Sequence, residues 1–400
     1  MSNKRTLFSI FLVVFIDLLG FSIILPLLPY YAETFGADEL QIGLLVAIYA
    51  AAQMISAPLL GRLSDRIGRR PVLLVSIAGN LLGFVLLGFA QNLWMLFAAR
   101  LLAGLTGGNI SVAQAYITDV TDEKNRARGL GLIGAAFGLG FIIGPAIGGI
   151  LSQNGFSVPA FVAAGFSALN LLVVSLWLGE SLTAERRIAL AGRARPPFSA
   201  AALLSALRRP LVGPLLHTRF FFALAFSLFQ SIFTLYALKR FGLESTQTGY
   251  ILAYVGLISA ITQGGLIRIF TQRFDERTLI LSATIGMSIG LLGWGLAPNV
   301  PMLLIALLPI AVAGGTLNTV LNSALSKSVQ PIEIGGTLGL AASLESLTRV
   351  IAPPIGSALL KWIGSSAPGL IAGVFLIWLA SYIVRHVHPQ PVAANLPQHI

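Results

Sequence analysis

The sequence predicts an all-α integral membrane protein whose twelve transmembrane helices form two pseudo-symmetric six-helix bundles. Three observations predict it. Of 400 residues, 56% are hydrophobic and only 10% are charged, whereas a soluble domain carries about a quarter charged residues. Apolar segments of about twenty residues recur along the chain, the length that crosses about 30 Å of hydrocarbon. An internal repeat divides the chain into two similar halves.

The expected spans fall near 7–29, 42–61, 72–90, 93–118, 129–151 and 160–178, then near 214–238, 248–267, 279–297, 302–325, 336–360 and 368–384. The first run is too long for a signal-peptide core and lacks a small-residue cleavage site, so it is expected as a retained span. Between the spans, Lys and Arg alternate sharply. With the N-terminus inside, inner segments hold 20 of the 26 and outer loops hold three, Lys239, Arg240 and Lys361. Basic loops stay cytoplasmic, so both termini are expected inside. The longest connection carries six arginines and Pro196-Pro197. Its Ser199 to Leu207 stretch reads either as a short helix on the membrane surface or as a plain tether. The expected organisation is therefore 1–178, a cytoplasmic linker 179–213, and 214–400 ending in a short cytoplasmic tail.

The repeat has an offset near 208. That shift lays Gly131-Leu132 on Gly339-Leu340, Pro145 on Pro353 and Ile147-Gly148 on Ile355-Gly356. A shift of 207 lays Arg66-Ile67-Gly68-Arg69-Arg70 on Arg273-Phe274-Asp275-Glu276-Arg277, a degenerate echo that keeps the basic ends.

The net charge of +11 reads as orientation signal at an anionic leaflet rather than as a nucleic-acid surface. With no cysteine and only four histidines, no metal site, disulfide or cofactor is expected. Nor does any nucleophile–base constellation suggest an enzyme.

The stretch from Gly61 to Pro71 holds four arginines and Asp65, and it is expected as a tight loop at the cytoplasmic face. Gly61 and Gly68 would let the backbone turn, and Pro71 suits the first position of the next helix. Charges within spans are the first functional candidates, because a central charge costs about 2.5–3.5 kcal/mol on insertion scales. Asp17 lies near the middle of span 1, and Arg100 in span 4 lies at a depth it could reach. Glu345 and Arg349 in span 11 share a helix face and can pair. Asp17 reads as a proton-accepting carboxylate modulated by Arg100; the alternative is a static buried ion pair, or a hydrogen bond that stitches the N-terminal half together. For Glu345 and Arg349 a part in proton coupling and a self-satisfied structural pair are equal readings. Were Arg349 to face a central cavity, it would favour anionic or carbonyl-bearing substrates.

In span 5, Gly140, Gly144 and Gly148 recur every four residues, a flat stripe for close helix packing that is expected against a span of the opposite half. Polar residues at helical spacing nominate a substrate cavity: Tyr49, Gln53, Asn109, Gln114, Gln230, Thr234, Tyr254, Asn318 and Asn322. Each could equally be interhelical glue.

Several of these stretches resemble the major facilitator superfamily. Gly61 to Pro71 resembles its G-x-L-S-D-R-x-G-R-R loop, and Arg100 to Gly104 its R-x-x-x-G element. Gly140 to Gly149, with Gly144-Pro145 and Gly148-Gly149, resembles the G-x-x-x-G-P-x-x-G-G signature of its antiporters. With Asp17-Leu18-Leu19-Gly20, the first half resembles tetracycline/proton antiporters over residues 7–178, and the second half matches by architecture. The chain departs from those exporters at Gly83, where they carry an acid in span 3, and in span 9, which here has none. The resemblance thus covers the antiport framework and not tetracycline as cargo. It implies a cytoplasmic latch in which Asp65 faces the start of span 11 around Gly335-Gly336-Thr337, completed by Arg66, Arg69, Arg70 and Asp119.

The expected function is a drug efflux transporter: proton-coupled antiport of lipophilic or amphipathic compounds by alternating access. It is expected as a monomer in the plasma (bacterial inner) membrane, with a small molecule, protons and lipid as its partners. The alternative is a uniporter or proton symporter of a metabolite, nucleoside or lipid.

Overall fold

The computed structural model describes residues 3–183, 185, 187, 200–330 and 333–387. Arg186, Arg193, Arg195, Pro196-Pro197 and the tail after 387 lie outside them. Among the described residues all regular structure is helical. The helices are α1 (Asn3–Ile24), α2 (Leu28–Thr34), α3 (Glu39–Ile67), α4 (Arg69–Gly88), α5 (Leu93–Thr106), α6 (Asn109–Val120), α7 (Glu123–Leu151) and α8 (Ser157–Trp177). They continue with α9 (Ala200–Arg208), α10 (Val212–Phe241), α11 (Ser245–Ile261), α12 (Ile267–Arg273), α13 (Glu276–Leu296), α14 (Val300–Lys327), α15 (Ile334–Trp362) and α16 (Ala367–His386).

Every expected span coincides with a helix or a pair of helices. Side chains at the starts explain several boundaries: Asp38, Asn92, Asp122, Asp275 and Asn299 each accept a backbone N–H three residues on, which satisfies a donor that has no partner within the helix. Among the described residues, eleven segments are long and apolar enough to cross a membrane. The twelfth expected span, α15, equals α7 in length at 29 residues, but it does not pass on apolarity. Glu345, Arg349, Ser343, Ser346 and Thr348 lie in its middle.

Three spans are interrupted. Pro26 sits in a 3₁₀ turn between α1 and α2. Gly107-Gly108 separates α5 from α6. A π-helical turn, Thr262–Leu266, joins α11 to α12. Such breaks release backbone groups that neighbouring side chains must satisfy.

The chain forms two compact units, Met1–Arg195 with Ile232–Leu257, and Pro196–Ser231 with Ile258–Ile400. These bounds differ from the sequence division at 178 and 213, because α10 and α11 each contribute residues to both units. In the first unit α1 packs on α7 and α8, α4 on α5 and α8, and α3 on α5. Ile10, Val13, Leu18, Leu73, Ile77, Val112 and Tyr116 form its buried centre. In the second unit α13 packs on both α14 and α16, around the fully buried Trp294.

The Gly61–Pro71 stretch is mostly helix rather than loop. Arg62 to Ile67 complete α3, whose 29 residues span roughly 43 Å and so outrun the hydrocarbon. Gly61 is an ordinary helical residue, and the turn is Gly68 alone, at φ +110°. Only glycine holds that conformation without strain. Pro71 falls third in α4, still within the first turn, where its missing N–H leaves no bond unmade.

Candidate functional site

Asp17 stands on α1 with its side chain buried against α4 and α6. Asn80 of α4 donates to its Oδ1 at 3.0 Å, and Asn109 donates to Oδ2. Asn109 is the first residue of α6, directly after the Gly107-Gly108 break. Its own Oδ1 accepts the Ile110 N–H at 3.0 Å, which aims the amide nitrogen at Asp17. Asn170 of α8 donates to the Val13 carbonyl at 2.9 Å and fixes α1 from the other side. The carboxylate is thus held by neutral carboxamides.

Arg100 does not pair with Asp17. Its guanidinium lies over the Tyr49 ring, 4.1 Å from the centroid, and 5.7 Å from that of Phe21. Such cation–π contacts favour a desolvated arginine. Its Nε and Nη2 make no hydrogen bond, although the residue is only 2% exposed.

Gln53, nominated equally for a cavity and for interhelical glue, donates to the Gly107 carbonyl at 2.8 Å and to the Tyr49 hydroxyl at 3.1 Å. Ser56, one turn on, donates to the Gly104 carbonyl at 2.8 Å. Both serve the broken helix: they satisfy carbonyls in the last turn of α5 and at the break. Gln114, Gln230, Asn318 and Asn322 are exposed, Tyr254 is half-buried, and Thr234 is buried. Tyr49, Gln53, Asn109, Gln114, Thr234 and Tyr254 belong to the first unit; Gln230, Asn318 and Asn322 belong to the second.

The second unit holds a charged cluster. Glu345 receives Arg349 at 2.7 Å through Oε1, as the i, i+4 spacing implied, and Arg219 at 2.6 Å through Oε2. Arg219 of α10 also donates to the Asn318 carbonyl at 3.3 Å. Arg219 is not among the candidates nominated by the sequence. Its contact with Glu345 is 126 residues away in sequence, and no spacing rule reaches that far.

At the Gly68 end of the first unit, Arg69 is 3% exposed. It pairs with Asp65 at 2.6 Å and Asp119 at 2.9 Å, and donates to Ser64 Oγ at 2.7 Å. Glu180, which the sequence reading passed over, accepts the backbone N–H groups of Arg69 and Arg70 at 2.9 and 3.1 Å. A carboxylate there satisfies two unpaired donors of α4 and complements its dipole. Arg70 reaches the Val174 and Ser175 carbonyls in the last turn of α8.

The second half repeats this network with its charges exchanged. Offsets of 207 and 208 carry Arg69 onto Glu276 and Asp119 onto Lys327, and Lys327 pairs with Glu276 at 2.7 Å. Arg70 corresponds to Arg277, which donates to the Val384 carbonyl in the last turn of α16 at 2.7 Å. The degenerate loop therefore preserves contacts that residue identity hides.

The span 5 stripe requires a correction. Gly140, Gly144 and Gly148 face α1, not the opposite half. A Cβ at Gly140 would touch Leu18, one at Gly144 would run into Ser22, and one at Gly148 would strike the Ile23 carbonyl. Ser22 Oγ donates to the Gly140 carbonyl at 2.8 Å. A different face of α7 meets α11 from the second half of the sequence. There Thr246 donates to the Gly149 carbonyl at 2.7 Å, and Gly249 and Gly256 lie against the Pro145 and Phe141 carbonyls. Close approach on both faces leaves little room for added bulk at Gly140, Gly144, Gly148 or Gly149. Gly144→Leu is expected to cost roughly 1–3 kcal/mol or more through overpacking, read as a lower unfolding temperature in detergent. An unchanged unfolding temperature would show that α1 and α7 do not pack this closely.

Comparison with known proteins agrees with this architecture. The profile of the Major Facilitator Superfamily matches residues 10–270 and 264–398. The class H tetracycline resistance protein of Pasteurella multocida is 34% identical over 356 residues, 88% of each chain. The class C protein of Escherichia coli is 32% identical over 394 residues, 96% of each. The similarity therefore runs through the second half as well, beyond the 7–178 region that carries the clearest motifs. Among solved structures, the human organic anion transporter MFSD10 shares the fold at a TM-score of 0.71, with 24% identity over 96% of this chain and 100% of that one. An inward-facing, occupied bacterial homologue of the human lysosomal transporter Spinster shares it at 0.77, with 16% identity over 97% of each. Multiple membrane spans, the Arg69 network and these near full-length similarities lead to one assignment: the chain belongs to the Major Facilitator Superfamily of membrane transporters.

Proposed function

We propose that the chain exports lipophilic or amphipathic compounds in exchange for protons, with Asp17 as the proton carrier. The observation that carries this reading is the cage around Asp17. A carboxylate locked in a salt bridge has its charge held by its partner, but Asp17 meets only carboxamides. A carboxamide can donate to the ionised acid, or turn its oxygen to accept from the protonated one. Both protonation states thus find partners at one site. Arg100, engaged with Tyr49, leaves that exchange open. The full-length similarity to tetracycline resistance proteins supports drug export as the class of activity. Tetracycline itself is not implied, since Gly83 and the acid-free α13 depart from those exporters.

The excess of Lys and Arg between alternate spans supports a plasma-membrane protein with both termini cytoplasmic. In that orientation the Arg69 network lies on the cytoplasmic side. We read it as a latch whose Asp65 exchanges partners as the transporter cycles.

The test uses purified protein in weakly buffered detergent with a pH-sensitive dye, adding candidate lipophilic drugs. Antiport predicts proton release when cargo binds, because substrate and proton compete for one state of the protein. Proton uptake on cargo binding would replace antiport with symport. A signal unchanged by cargo that demonstrably binds would point to a uniporter.

A further inference from the structure

We propose that Arg349 is a binding subsite for the acidic group of an amphipathic substrate, with Glu345 as its built-in competitor and Arg219 as its support. The inference deepens the export reading by naming a chemical feature of the cargo.

Position comes first. Arg349 sits at the centre of the 29-residue helix α15, yet 53% of its side chain is exposed. A guanidinium at that depth is strongly disfavoured in hydrocarbon. The exposed face of α15 therefore borders water, and exposed Asn318 and Asn322 on α14 are polar in the same way.

Charge comes next. Glu345 binds one oxygen to Arg349 and the other to Arg219, whose side chain is 6% exposed. Two arginines against one carboxylate leave a net positive charge. Arg219 is buried and additionally held by the Asn318 carbonyl, so the surplus is presented to water through Arg349. Only Nη2 of Arg349 is engaged by Glu345. The rest of its planar fork of donors suits a carboxylate, sulfonate or phosphate.

The repeat supplies an internal control. An offset of 208 places Glu345 and Arg349 on Phe137 and Phe141 of α7, which stack with centroids 6.2 Å apart. The same helix position in the first half thus packs with two apolar rings and no charge. Helix packing does not require the charged pair, which fits a role in recognition.

The test is equilibrium binding to protein in nanodiscs of zwitterionic lipid, with empty nanodiscs as blank. Two fluorescent probes are compared: anilinonaphthalene sulfonate and its neutral parent N-phenylnaphthylamine, which differ by the acidic group. Wild type is expected to favour the sulfonate by about tenfold, the scale of one charge-assisted hydrogen-bonded contact. Arg349→Gln should erase that preference while still binding the neutral probe, and Arg349→Lys should keep part of it. Glu345→Gln should strengthen it, because the competing carboxylate is gone; a merely structural pair would lose binding of both probes instead. Retained binding of the neutral probe certifies that each variant is folded. Equal affinity for both probes in wild type, or a sulfonate preference unchanged in Arg349→Gln, overturns the proposal. No gradient is present, so that outcome leaves proton exchange at Asp17 untouched.

Discussion

Asp17→Asn is expected to abolish proton-driven export, reducing accumulation in inverted vesicles to the background of vesicles without the protein. The carboxamide matches the carboxylate in shape, and its one oxygen can still accept from Asn80 or Asn109, while its NH2 meets the donor that now holds the other oxygen. Losing one of these contacts costs about 1–3 kcal/mol, and the variant is expected to fold. What it loses is the proton. The two halves of the cycle should then separate: cargo-for-cargo exchange without a pH gradient persists, while uphill transport driven by the gradient stops. In cells lacking their own exporters, the variant should give no more drug tolerance than an empty vector at equal expression. Gradient-driven accumulation surviving in Asp17→Asn would remove Asp17 from the coupling and shift attention to Glu345.

Arg69→Ala is expected to be the most destabilising single change in the first unit. Arg69 neutralises Asp65 and Asp119 where its own side chain is 4% exposed and theirs are 9% and 12%. Removing one partner of a buried ion pair strands the other, at about 3–5 kcal/mol. The loss should appear as a lower unfolding temperature in detergent and a smaller folded yield. Adding Asp119→Asn should recover part of it, because one stranded charge disappears. Wild-type stability in Arg69→Ala would mean that water reaches both carboxylates and that the network is a surface feature. The charge-exchanged counterpart contributes less on the same reasoning, since Lys327 is 61% exposed and exposed pairs are worth little.

Membrane class, the spans to within a few residues, the family and the identity of the buried acid are all legible in the residues alone. Each rests on a signal local to the chain: apolar length, the alternation of basic segments, or a motif of fixed spacing. The pairing of Glu345 with Arg349 was legible because a helix fixes what lies four residues away.

The partners of these residues follow from how the helices pack. That Asp17 meets Asn80 and Asn109 rather than Arg100 depends on the break at Gly107-Gly108 and on how α4 and α6 pack around α1. Gln53 was indistinguishable from a cavity residue until the Gly107 carbonyl appeared beside it. The glycine stripe announced close packing but not its direction, since a flat surface specifies no partner. The repeat in the second loop was nearly invisible as identity, because an ion pair survives exchange of both its signs while a residue-by-residue match does not. Periodicity fixes which residues share a face of a helix; which neighbour that face meets is set by packing and charge complementarity between segments far apart in the chain.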